Sequence, residues 1–125
     1  MCEMILSIGD VGIFEIGRWS RLGEKFASLY KSCFAEAPYF EDYDSEWVVR
    51  NVYDAHIRDG CIVVALQGSD LVGMACSKSM GLYKESSPYR YLANQDVLPF
   101  NLDSSLFVTE LAVLPRVRNR GIGYC

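Results

Sequence analysis

The residues best suited to chemistry lie together near the end of this 125-residue sequence. Arg116-Val117-Arg118-Asn119-Arg120-Gly121-Ile122-Gly123 follows directly on an apolar stretch with strand character. At Gly121 and Gly123 the lack of a side chain lets backbone N–H groups approach a ligand closely. Successive N–H groups of such a turn chelate a diphosphate, a following helix adds its positive end, and Arg116, Arg118 and Arg120 supply charge outside that nest. The same residues suit a basic surface turn whose glycines serve only a tight corner, and spacing alone does not separate the two. A phosphate loop of the Lys-Ser/Thr type is excluded, because the sequence has no Gly-Lys-Ser/Thr.

Other reactive residue types offer less. The five cysteines, Cys2, Cys33, Cys61, Cys76 and Cys125, are scattered and odd in number, with no C-x-x-C pair or histidine neighbour suited to zinc. Neither disulfides nor a metal is implied, and the thiols read as core residues. A nucleophilic cysteine needs a base, and the sole histidine, His56, sits in a helix rich in charges where it reads as a surface or boundary residue. Trp47 reads as core.

The elements that must position the glycine turn are legible upstream. Met4 to Ile8 forms a first strand candidate, and Val11 to Ile16 a second apolar stretch after the Gly9-Asp10 turn signal. From Ser20 onward, Leu22, Phe26, Leu29, Tyr30, Cys33 and Phe34 recur at three- and four-residue steps, the pattern of one helix face, which Pro38 ends. Asp44 or Ser45 caps a second helix with Trp47, Val48, Val52 and Ala55 as its apolar stripe, and Gly60 suits a left-handed stop. Cys61 to Gln67 and Leu71 to Met80 form a hairpin around Gly68-Ser69-Asp70. Residues 81 to 104 make a long connection with Tyr83, Tyr89, Tyr91 and Phe100, including a short helix near Pro88 to Asn94, and a segment of that length is usually a lid, a binding loop or disordered. Leu106 to Val113 is the last strand, ended by Leu114-Pro115.

Composition narrows the function classes. With Lys+Arg 12 against Asp+Glu 16, the net charge of -4 argues against a sequence-independent nucleic-acid binder. The longest apolar run, Cys61 to Leu66, is far below the ~20 residues that span a bilayer, and no basic region precedes an apolar stretch at the N-terminus. The expectation is a cytoplasmic protein without membrane or nucleic-acid partners.

Thr109-Glu110-Leu111-Ala112-Val113-Leu114-Pro115 followed by Arg118-Asn119-Arg120-Gly121-Ile122-Gly123 closely resembles motif A of the GNAT (GCN5-related) N-acyltransferases, whose pattern is Gln/Arg-x-x-Gly-x-Gly/Ala. The match falls on Arg118, Gly121 and Gly123. Phe34-Ala35-Glu36-Ala37-Pro38-Tyr39-Phe40 is similar to the substrate-facing link between that family's first two helices. The resemblance covers the chain in outline and is specific from about Leu106 to Cys125.

By this resemblance the fold is α/β, a GNAT-like mixed, mainly antiparallel sheet with flanking helices. It implies acetyl-coenzyme A (acetyl-CoA) as acyl donor. The backbone of Leu111, Ala112 and Val113 would lie along the pantetheine arm, that of Leu111 and Val113 pairing with it like an added strand. Arg118, Asn119, Arg120, Gly121, Ile122, Gly123 and Tyr124 would surround the pyrophosphate, the amides from Asn119 onward holding it. The acceptor would be an amine of a small molecule or peptide attacking directly. Its proton must leave first, and Glu110 is the candidate base. Strand alternation puts Thr109 and Glu110 on opposite faces, and a bulge, common in the family here, would change which one faces the site. The plainer role for Glu110 is an ion pair with Arg116 or Arg118. Tyr39-Phe40-Glu41-Asp42-Tyr43-Asp44 could attract a cationic amine, or supply ordinary helix-start acids.

Cys125 follows Gly123 by two residues, so residues 1–125 read as a single, incomplete acyltransferase domain lacking the helix and strand that follow motif A in the family. The last strand would then expose an unpaired edge and the sheet one apolar face, open to a homodimer or a partner chain that completes the sheet. A fragment, a truncated gene product and a half-domain completed by a partner remain alternatives. So does a noncatalytic interaction module. The acceptor amine and the acyl-chain preference are not specified by the sequence.

Overall fold

The computed structural model describes residues 4–16, 21–83, 87–95 and 101–124. Cys2, Ser20, Phe100 and Cys125 lie outside the described residues, as do the side chains of Tyr83 and Tyr89. Strands β1 (Met4–Ile8), β2 (Val11–Glu15), β3 (Gly60–Gln67), β4 (Asp70–Ser79) and β5 (Leu106–Val113) form one sheet in sequence order, every neighbouring pair antiparallel. The expected α/β, mainly antiparallel sheet with flanking helices is thus present, and every strand pair among the described residues is antiparallel.

Between β2 and β3 the chain forms α1 (Gly23–Ala35), then α2 (Ser45–Val48), a π-helical turn (Val49–Tyr53) and α3 (Asp54–Asp59). The apolar face of α1 buries Phe26, Ala27, Leu29, Tyr30 and Cys33, as its spacing requires. It ends at Ala35, with Glu36 already extended, two residues ahead of Pro38. The Asp44 carboxylate caps α2 by accepting the Trp47 N–H at 3.0 Å.

These helices cover one sheet face, where Phe26, Leu29, Tyr30, Val48, Val52 and Tyr53 pack against Ile62, Val64, Met74, Cys76 and Ala112. On the other face a smaller cluster joins Val11, Ile13, Ala65 and Val72 to Val117 and Ile122 of the glycine turn. The connection before β5 contains 3-10 turns at Met80–Tyr83 and Leu102–Ser104 and helix α4 (Ser87–Ala93), close to the expected short helix.

Three expectations change. Gly60 does not stop α3 in a left-handed conformation: its φ is -150°. A Cβ there would lie 2.1 Å from the Ser77 carbonyl oxygen, so glycine serves the close approach of β4. Trp47 is 46% exposed rather than core, stacked on Tyr43 at 5.4 Å. His56 is 5% exposed rather than at the surface, since α3 turns that side chain onto the sheet.

Candidate active site

The last strand carries the site. A register shift pairs Cys76 with Glu110 but Ser77 with Val108, leaving Thr109 as the extra residue of a bulge. The bulge suspends the alternation that would send Thr109 and Glu110 to opposite faces. Both side chains reach the helices: the Tyr30 hydroxyl donates to Glu110 Oε1 at 3.2 Å, and Thr109 Oγ1 lies 2.5 Å from His56 Nε2.

Glu110 therefore does not pair with Arg116 or Arg118. Its carboxyl is half-buried, and burial pushes its pKa up; the Tyr30 hydrogen bond works against this, and the Glu41 carboxylate adds to it. Tyr30 is raised in turn, first by its own burial and then by Glu110. Behind Glu110 the Cys76 thiol is pushed up to about 12 by burial, with a further push from Glu110, and is inert as a nucleophile. Cys33 is buried and likewise raised.

Among the described residues the outer side of β5 is an open edge, since its sole strand neighbour there is β4. The Leu114 N–H donates to Val72 O at 2.8 Å. By the two-residue alternation of an antiparallel ladder, Ala112 also faces β4, and the backbone polar groups of Leu111 and Val113 point outward. A groove of about 250 Å³ runs beside this edge, between Leu111, Ala112 and Val113 on one side and Cys33, Phe34, Ala37 and Tyr39 on the other. Arg118 crosses one end of it: Nε donates to Val113 O at 2.7 Å and the guanidinium pairs with Glu36.

The glycine turn is built from two 3-10 turns, Pro115–Val117 and Ile122–Tyr124, pinned to the sheet by buried Val117 and Ile122. Asn119 (φ 64°) and Gly121 (φ 84°) adopt the left-handed conformation that reverses the chain. Nothing lies within 4 Å of a Cβ built at Gly121 or Gly123. Gly123 has no positive φ, so neither backbone geometry nor crowding inside the chain accounts for its lack of a side chain. The space beside both positions is open. The arginines are engaged with acids: Arg116 with Asp70 at 3.6 Å, Arg118 with Glu36, Arg120 with Asp10 at 3.7 Å. Their charge is partly compensated, which leaves the backbone amides as the principal donors for an anion.

On the rim, rings run from Tyr39 through Phe34, Tyr30 and Tyr43 to Trp47, with successive centroids 4.6–5.4 Å apart. Glu41, Asp42, Asp44 and Glu46 are exposed along it. Tyr30 was foreseeable as core but not as the partner of Glu110, and the His56–Thr109 and Glu36–Arg118 contacts carry no local sequence signal.

No protein-family model matches the sequence, and no curated protein matches it. Among solved structures, an aminoglycoside N-acetyltransferase, AAC(6')-Iy, in complex with CoA superposes with a TM-score of 0.60 at 14% sequence identity. The match covers 91% of this chain, and the chain spans 62% of the length of that structure. Among the described residues no helix is long and apolar enough to cross a membrane. Over 91% of its length the chain thus shares the fold of part of that N-acetyltransferase structure.

Proposed function

We propose that this chain carries the acyl-donor site and catalytic base of an N-acetyltransferase that moves an acetyl group from acetyl-CoA to a primary amine. The observation that supports this reading best is the bulge at Thr109. It turns Glu110 toward the groove-side helix α1 on the same strand whose outer edge is open and whose end runs into the glycine turn. Bound acetyl-CoA supplies the activated acetyl group as a thioester.

The residues divide the work. Backbone groups of Leu111 and Val113 offer edge pairing to the pantetheine arm, and Arg118 must release the Val113 carbonyl for that pairing to be complete. Amides from Asn119 to Tyr124 receive the pyrophosphate beside Gly121 and Gly123. Glu110 takes the proton that a protonated amine must lose before its lone pair attacks the thioester carbonyl. Burial suits Glu110 to this, because it lifts the carboxyl's basicity. A C–N bond forms, the C–S bond breaks, and coenzyme A leaves as a thiolate that takes up the second proton, which the attacking nitrogen sheds as it becomes an amide. The exposed acids Glu41, Asp42, Asp44 and Glu46 beside Tyr43 and Trp47 favour a cationic acceptor. Residues 1–125 are read as one domain of a cytoplasmic enzyme.

A second reading, a noncatalytic module that pairs with another chain, is favoured by exposed Leu106, Val108 and Leu111 on the open-edged strand β5. Calorimetric titration of the purified chain with acetyl-CoA, with the oligomeric state measured on the same sample, separates the two. Saturable binding abolished by Gly121→Val and Gly123→Val supports the acetyltransferase. A defined oligomer that binds no acetyl-CoA supports the module and overturns the first reading.

A further inference from the structure

The bulge is held from behind by a side chain that the proposed chemistry does not use. His56 is buried on α3, with Nδ1 at 2.7 Å from Val52 O and Nε2 at 2.5 Å from Thr109 Oγ1. A carbonyl oxygen only accepts, so Nδ1 carries a proton; in the neutral imidazole Nε2 is then an acceptor and takes the Thr109 hydroxyl proton. Thr109 Oγ1 is also 3.2 Å from Cys76 O, the carbonyl opposite the bulge. The one hydroxyl proton thus has a shorter contact to His56 and a longer one to the ladder. Thr109 is the unmatched residue of β5, and Glu110 is its chain neighbour.

We infer that His56, as its Nδ1–H tautomer, is a positioning residue that clamps Thr109 and thereby fixes the bulge that aims Glu110 at Tyr30. The inference rests on the reading of Glu110 as the working base. The contact lies beside the apolar packing of Val52, Cys76 and their neighbours, where a low local dielectric strengthens the bond. The charged groups felt by His56 are Lys78 of β4 and Asp59 of α3 itself. Burial holds the imidazole neutral, Lys78 acts in the same sense, and the Val52 carbonyl and Asp59 oppose them. Should the ring gain a proton, Nε2–H would donate to Oγ1 and the hydroxyl would turn to Cys76 O, so the clamp persists with its hydrogen reversed.

Nitrogen-15 NMR of His56 in the intact chain at neutral pH reads the tautomer; a protonated Nε2 with a bare Nδ1 overturns the inference without any variant. Carbon-13 NMR of the Glu110 carboxyl, followed through its titration, then compares the parent with Thr109→Val and Thr109→Ser. The expected result is a displaced Glu110 titration in Thr109→Val, by about half a pH unit or more, and retention of the parent curve in Thr109→Ser, which keeps the hydroxyl. A folded Thr109→Val chain with unchanged Glu110 titration overturns the clamp, whatever its stability. If Thr109→Val does not fold, His56→Gln is read by the same titration under the same criterion. Failure of the chain to acetylate any amine would remove the role of Glu110, while the NMR titrations would still decide for or against the clamp.

Discussion

Replacing Glu110 with glutamine keeps the shape of the side chain and its acceptor for the Tyr30 hydroxyl, and removes only the charge. The structure gives the ionised carboxylate one hydroxyl bond of 3.2 Å and no salt bridge among the described residues, with the Glu41 carboxylate adding repulsion. Burial raises its folded pKa above the unfolded value of about 4.3. The folded state therefore holds this proton more tightly than the unfolded state does. Stability from this group is fully present below the unfolded pKa and is lost as pH rises through the folded pKa. At neutral pH the parent bears the cost of a half-buried charge, about 1 kcal/mol or less once solvent screening is allowed for. Glu110→Gln is accordingly more stable than the parent at pH 7, its urea midpoint higher by up to about 0.5 M. The difference shrinks as pH falls below the folded pKa. Amine acetylation falls about 100- to 10,000-fold with the loss of a general base. Urea unfolding from pH 4 to 8, with acetylation rates on the same preparations, checks both. A Gln variant that is less stable at neutral pH, or a stability difference independent of pH, refutes the account of Glu110 as a residue whose charge is carried at a cost to the fold.

Tyr30→Phe leaves a ring among Phe26, Phe34 and Tyr43 and removes the hydroxyl, so the Glu110 titration moves further up; carboxyl NMR showing no movement, or a fall, contradicts this. Gly123→Ala meets no atom within 4 Å and needs no left-handed backbone, so it leaves the urea midpoint unchanged while weakening acetyl-CoA binding at least about tenfold, or about 1.4 kcal/mol. Gly121→Ala, at φ 84°, additionally loses about 1–2 kcal/mol of stability; equal binding by both variants and the parent would argue that the turn holds no pyrophosphate. Gly60→Ala drives a methyl to 2.1 Å from Ser77 O and lowers stability by about 1–3 kcal/mol, measured by the same unfolding curves.

Local pattern carried much of this molecule. The three- and four-residue recurrence of Phe26, Leu29, Tyr30 and Cys33 identified the buried face of α1 because a helix repeats every 3.6 residues. Asp44 and Ser45 marked the start of α2, with Asp44 the actual cap, and turn residues marked both hairpins, for equally local reasons. The glycine turn after β5 was legible because Gly121 answers a backbone requirement that few other residues meet. The sequence by itself thus determined the elements, their order and the strand whose edge and end form the candidate donor site.

What the tertiary structure decided were the contacts between segments remote in the chain. Whether Thr109 and Glu110 share a face depended on the register of β5 against β4, which no period-2 pattern encodes once a bulge intervenes. Tyr30 lies 80 residues from Glu110 and Arg118 lies 82 from Glu36, so neither pairing leaves a local mark. His56 looked like a surface residue because its neighbours along the helix are charged; it is buried because α3 rolls that one side chain onto the sheet, where Thr109 meets its ring. Sequence determines what each segment does alone, through backbone conformation and periodicity. Packing determines which side chains meet, and the environment of Glu110 is a product of that meeting.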